Sequence, residues 1–121
     1  MIDHATQRLN MVESQVRPSD VTDRRITRAM RDIPREDFVP GPLKSIAYAD
    51  EHLRVTESGN RQRTILAPRL LAKMIQLLSI EPDGLVLDIG PATGYSTALL
   101  ARLGQTVIAL EEDPRLAERA Q

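Results

Sequence analysis

The 121-residue sequence predicts an α/β fold in which N-terminal helices lead into one parallel β-α-β crossover. Three observations carry that expectation. Residues 85–89 and 106–111 are apolar runs of strand length, with Asp88 near the end of the first and Glu111 closing the second. Gly90 and Gly94 punctuate the segment after the first run, where a strand has to turn abruptly into a helix. Residues 96–103 then read as a crossover helix ended by Gly104, and a strand, helix, strand unit of this kind makes its two strands parallel neighbours.

The earlier elements follow from punctuation and periodicity. Residues 6–16 set Leu9, Val12 and Val16 on one stripe of a helix that Pro18 stops. A second helix, capped by Asp20 or Thr22, turns Val21, Ile26, Ala29 and Met30 inward; Arg24, Arg25, Arg28 and Arg31 form its solvated face. Pro34, Pro40, Gly41 and Pro42 break the chain into loop, with Phe38 and Val39 as anchors in the core. Residues 47–63 are polar and irregular, a candidate binding loop. Pro68 suits the first position of a third helix, whose Leu70, Leu71, Met74, Ile75, Leu77 and Leu78 make an apolar face wide enough to cover one side of a sheet. After the second strand, Asp113 caps and Pro114 opens a helix with Leu116, Ala117 and Ala120 on its inner face and no stop signal before Gln121.

This pattern divides the chain into an N-terminal helical and loop region, 1–66, and the start of a cofactor-binding unit, 67–121. Two parallel strands leave sheet faces uncovered, so the sequence reads as truncated, and self-association or exchange of elements between copies is expected.

Composition narrows the function. A net charge of −1 gives no electrostatic handle for nucleic acid or an anionic membrane. With no cysteine there are no disulfides, no thiol catalysis and no Cys-ligated metal. His4 and His52 read as isolated surface residues, and no metal site is expected. No stretch has the length of a signal peptide core or a membrane span, so the expected location is the cytoplasm.

The glycine turn points to a nucleotide-type cofactor held at the carboxyl ends of the strands. A dinucleotide fingerprint starting at Gly90 would need glycines at 92 and 95, where Ala92 and Tyr95 stand, and no G-K-[ST] closes a phosphate loop. What remains is Asp88-x-Gly90-x-x-x-Gly94. Its carboxylate would repel a pyrophosphate but can hold an ammonium group, which S-adenosylmethionine offers together with a sulfonium and a ribose. Glu111, at the end of the second strand, suits the ribose diol, with Glu112 as the fallback.

Beyond the turn, Asn10-Met11-Val12-Glu13 with Gln15, Val21-Thr22-Asp23, Ala29-Met30, Pro34-Arg35-Glu36-Asp37-Phe38-Val39-Pro40 and Ala47-Tyr48-Ala49-Asp50 give the chain a specific likeness. Nearly the whole of it resembles the N-terminal half of the protein-L-isoaspartate O-methyltransferase family. The resemblance implies a Rossmann-like S-adenosylmethionine-dependent methyltransferase fold and methyl transfer to the α-carboxyl of damaged isoaspartyl residues, a protein-repair activity on protein or peptide carboxylates. It implies that Asp88, Gly90 and Gly94 line the methionine end of S-adenosyl-L-methionine, that Glu111 takes the ribose, and that Pro91, Ala92, Thr93 and Tyr95 complete the cofactor turn.

The sequence departs from the family in the substrate loop. Thr64-Ile65-Leu66-Ala67-Pro68 stands where the family reads Thr-Ile-Ser-Gln-Pro, so Leu66 replaces a serine beside the transfer site and Thr64 is the remaining hydroxyl. Residues 55–68 also run about four residues longer than in the family. Ala92 replaces the middle glycine and fits if its φ is negative. Three functions are compatible with this pattern: a carboxyl methyltransferase, a non-catalytic cofactor-binding or interaction module of the same fold, and a methyltransferase with another acceptor.

Overall fold

The computed structural model describes residues 3–55 and 63–120, so residues 56–62 of the candidate binding loop lie outside the described residues. Helix α1 (His4–Met11) starts two residues before the sequence expectation because Asp3 caps it, accepting from Thr6 N at 3.2 Å and Thr6 Oγ1 at 2.6 Å. It continues into a π-helical turn, Val12–Val16, and a 3₁₀ turn, Arg17–Ser19. A π turn rotates less per residue than an α turn. It therefore swings Val16 back toward Met11, and the buried stripe is Met11, Val12 and Val16, while Leu9 is 44% exposed. The stripe expected through Leu9 is corrected accordingly.

Helix α2 (Arg24–Asp32) is capped by neither Asp20 nor Thr22 but by Asp23, whose Oδ1 accepts from Arg25 N at 2.9 Å. Asp20 is unavailable because it ends the preceding turn at φ +66°. The N–H groups of Thr22 and Asp23 are met from elsewhere. Gln76 Oε1 accepts both, at 2.8 and 3.0 Å, while its Nε2 donates to Asp20 O at 2.9 Å. Val21, Ile26, Ala29 and Met30 are buried as expected, and Arg24, Arg28 and Arg31 face solvent.

The proline-rich segment is more ordered than a loop. It winds into 3₁₀ turns at Arg35–Phe38 and Gly41–Ile46, with Val39 buried between them. The ends of the polar segment pair as a short antiparallel ladder, β1 (Leu53–Arg54) with β2 (Thr64–Ile65). Helix α3 (Pro68–Leu77) begins at Pro68, but it buries only Leu71, Ala72 and Ile75 besides that proline, resting chiefly on the 12–16 turn and α2. Leu70, Met74, Leu77 and Leu78 are exposed, so α3 does not serve as the expected sheet cover.

The crossover is as expected. Strand β3 (Leu85–Ile89), helix α4 (Tyr95–Leu100) and strand β4 (Thr106–Leu110) form a parallel unit in register from Leu85↔Thr106 to Ile89↔Leu110. On one face Val86 and Val107 pack against the core that includes Leu99, Leu100 and Leu103. The other face leaves Leu85, Leu87, Ile89, Ile108 and Leu110 exposed. Helix α5 (Pro114–Ala120) follows, with Asp113 Oδ1 accepting from Arg115 N at 2.9 Å and Leu116 buried. One hydrophobic cluster runs from Met11 to Leu116 and draws on both sides of residue 66. Among the described residues no helix is long and apolar enough to cross a membrane.

Candidate cofactor site

The turn after β3 takes three left-handed residues: Gly90 at φ +71°, Ala92 at +56° and Gly94 at +98°. The condition of a negative φ, under which Ala92 would fit without strain, is therefore not met. Its conformation is held by a hydrogen bond from Ala92 N to Glu111 Oε1 at 2.8 Å, which offsets a backbone cost on the order of 1 kcal/mol. Gly94 is the N-cap of α4, and a Cβ there would meet Ala120 Cβ at 3.0 Å.

Glu111 is the hub of the site. Its Oε1 accepts from Ala92 N and from Arg63 Nη2 at 2.6 Å, and its Oε2 accepts from Arg63 Nη1 at 2.7 Å and Asp113 N at 2.9 Å. The side chain is only 3% exposed. The paired Arg63 hydrogen bonds above all, with the two backbone N–H groups, outweigh burial and hold its carboxyl down to about 2. The same pairing raises the Arg63 guanidinium above its ordinary value.

Asp88 is held from the next helix. Ser96 Oγ and Thr97 Oγ1 both donate to its Oδ2 at 2.8 Å. Its Oδ1 accepts no hydrogen bond from the described residues. Two cavities meet at this turn and share Ile89 and Gly90. The first, ≈ 250 Å³, is walled by Thr64, Leu66, Asp88, Pro91, Tyr95 and Ser96 among others. The second, ≈ 480 Å³, is walled by Arg63, Leu110, Glu111 and Glu112.

The predicted residues therefore sort into separate roles. Asp88, Gly90, Pro91, Tyr95 and the candidate hydroxyl Thr64 gather at the first cavity, and Glu111 with its fallback Glu112 gathers at the second. Thr93 joins neither: its side chain is buried, with Oγ1 donating to Phe38 O at 2.6 Å, so it ties the turn to the proline-rich segment. Ala92 contributes its backbone.

Beneath the first cavity lies an arginine that sequence reasoning passed over. Arg35 is 0% exposed. Its Nε donates to Ala47 O at 2.7 Å and its Nη2 to Leu66 O at 3.0 Å, while its guanidinium stands 5.0 Å from the centre of the Tyr95 ring. Burial pushes this guanidinium below its ordinary value. Tyr95 also packs edge-on against Phe38, with ring centres 5.5 Å apart. Tyr48 completes the support, accepting from Arg8 Nε at 2.8 Å and Arg35 N at 3.0 Å and donating to Glu36. Burial, then the Glu36 contact, raises its phenol above the usual range.

The histidines are less isolated than expected. His52 Nδ1 accepts from Ala67 N at 2.8 Å, and His4 lies 3.6 Å from Glu36.

Of the missed residues, Ser96 and Thr97 were legible in principle, as hydroxyls in the first turn after an acid-bearing strand. Arg63 and Arg35 carried no local signal.

A parallel β-α-β unit with acids at the ends of both strands around a glycine turn defines a Rossmann-like nucleotide-cofactor fold. Comparison with known families refines that class. A family profile described as Protein-L-isoaspartate(D-aspartate) O-methyltransferase (PCMT) matches residues 6–121, and the chain belongs to this family.

It is 41% identical over 115 residues to the protein-L-isoaspartate O-methyltransferase of Methanoculleus marisnigri, covering 95% of this chain and 50% of that protein. A solved protein-L-isoaspartate O-methyltransferase structure superposes with a TM-score of 0.77 at 27% identity, over 96% of this chain and 36% of that one. A Plasmodium falciparum relative, solved in complex with S-adenosyl-L-homocysteine, shares the fold with a TM-score of 0.70 at 21% identity, over 99% of this chain and 54% of its own. The chain spans about half the length of the curated relatives it matches.

Proposed function

We propose that this chain is the N-terminal portion of an S-adenosylmethionine-dependent protein carboxyl methyltransferase that acts on isoaspartyl residues of damaged proteins in the cytoplasm. The carrying observation is the placement of Glu111 and Asp88 in the walls of two cavities that share Gly90. The residues present fit the cofactor. Glu111 offers two carboxylate oxygens to a ribose diol, Asp88 Oδ1 is available to an ammonium group, and Gly90 has no Cβ to obstruct a ligand passing between them. When bound, S-adenosylmethionine supplies a methyl group activated by its sulfonium.

The protein's part is positioning, since an acceptor carboxylate is already an anion and needs no proton removed. Ser96 and Thr97 fix the Asp88 carboxylate, and Arg35 fixes the Leu66 carbonyl and hence the direction of the substrate loop. Thr64 is the hydroxyl we assign beside the acceptor. Calorimetric titration with S-adenosylhomocysteine tests the reading. Glu111→Ala removes hydrogen bonds worth roughly 1.5–3 kcal/mol each and is expected to weaken binding at least tenfold. Unchanged affinity would refute the assignment.

Leu66 favours a second reading. It brings an apolar side chain to the cavity where the family has serine, which suits a non-catalytic module or a different acceptor.

A further inference from the structure

Arg63 sits where the two cavities join. Its Nη2 lies 3.0 Å from the place a Cβ would occupy on Gly90, and the same fork closes on both oxygens of Glu111. A ligand that spans the cavities has to displace this side chain, because the guanidinium covers both the glycine it would cross and the carboxylate its diol would use. The displaced guanidinium has a natural destination. An amino-acid group lodged by Asp88 brings its own carboxylate into the first cavity, and among the described residues walling the two cavities Arg63 is the one cation.

We propose that Arg63 is an exchangeable counter-ligand. It holds Glu111 in the free protein, yields it to the ribose diol, and pairs with the carboxylate of the ligand's amino-acid moiety. The inference rests on the cofactor reading above and deepens it. Arg63 thereby selects ligands that carry both a diol and an amino-acid carboxylate over nucleosides that carry the diol alone. For a nucleoside, the Arg63–Glu111 pair is lost and the ligand brings no carboxylate to take its place. For an amino-acid conjugate, one fork-to-carboxylate pair replaces another.

The test measures S-adenosylhomocysteine and adenosine affinities by calorimetry in the native polypeptide and in Arg63→Gln, Arg63→Lys and Glu111→Gln, with circular dichroism confirming that each is folded. Freeing Glu111 in Arg63→Gln is expected to tighten adenosine roughly 3- to 30-fold, a range discounted because the pair is partly exposed. S-adenosylhomocysteine is expected not to tighten, so its preference over adenosine falls by about the same factor. Arg63→Lys, which keeps the charge and loses the fork, is expected between the two. An equal shift for both ligands overturns the proposal, as does an adenosine affinity that fails to rise. Those results leave the cofactor reading standing if Glu111→Gln weakens both ligands. If Glu111→Gln changes neither, the cofactor reading itself falls.

Discussion

Ionisation of a single carboxylate, Glu111, couples the glycine turn, the end of β4 and Arg63, and acid titration should expose that coupling. Four donors converge on it, and its folded value of about 2 lies well below the ordinary 4.5. That gap corresponds to about 3 kcal/mol in favour of the ionised form in the folded protein. Because the folded value is depressed, this stabilisation is complete above about pH 4.5 and is lost as pH falls toward 2. Asp23 and Glu36 are also depressed and shift the native curve in the same direction. The difference between native protein and Glu111→Gln therefore isolates the one group. The amide keeps one acceptor but turns an NH₂ toward Arg63 or Ala92 N, so the variant should lose about 2–4 kcal/mol at neutral pH. Urea unfolding at several pH values should show that gap closing as the pH drops below the ordinary carboxylate range. Curves that stay parallel would refute the role given to the charge.

Four further outcomes are expected. Ala92→Gly relieves a left-handed φ and should raise the urea midpoint by the equivalent of about 0.5–1 kcal/mol; a lower midpoint would contradict the strain assigned there. Arg35→Met orphans the carbonyls of Ala47 and Leu66 and should cost about 2–4 kcal/mol, read as a fall in melting temperature; no fall would show that those bonds contribute nothing. With the full-length protein, radiolabelled methyl transfer to an isoaspartyl peptide decides between the two readings: a gain of about 10- to 150-fold confined to Leu66→Ser, Ala67→Gln would favour the second reading drawn from Leu66, whereas robust transfer by the natural sequence would refute it. The 121-residue chain alone, with Leu85, Leu87, Ile89, Ile108 and Leu110 uncovered, should scatter light as an oligomer at micromolar concentration, and a well-folded monomer would count against self-association.

The crossover was readable from sequence because its signals are local: an apolar run, a glycine turn, a helix and a second run leave one arrangement open. Helix boundaries in the N-terminal region were harder to place. The cap of α2 falls at Asp23 in a segment that Gln76, more than 50 residues away, holds in place, and the buried stripe of α1 depends on a π turn that periodicity at 3.6 residues does not contain. In the site, Asp88 and Glu111 announced themselves as acids at strand ends. Arg63 did not, since its partner is 48 positions away and an arginine in a polar segment looks like any other solvated charge. Arg35 was likewise hidden, because only the packed structure reveals that a charged residue in a proline-rich run is fully enclosed.

The Gln76 clamp carries a consequence for synthesis. The opening of α2 receives its N–H partner from a residue 53 positions later, so the segment around Thr22 and Asp23 emerges from the ribosome without its clamp. At the usual 5–20 residues per second, that interval lasts roughly 3–10 s. During it, Ile26 and Met30 have no α3 to pack beside and α2 has only the Asp23 cap. The nascent chain then has a waiting period built into its order of residues, in which chaperones have access to the N-terminal helices before α3 arrives to close them.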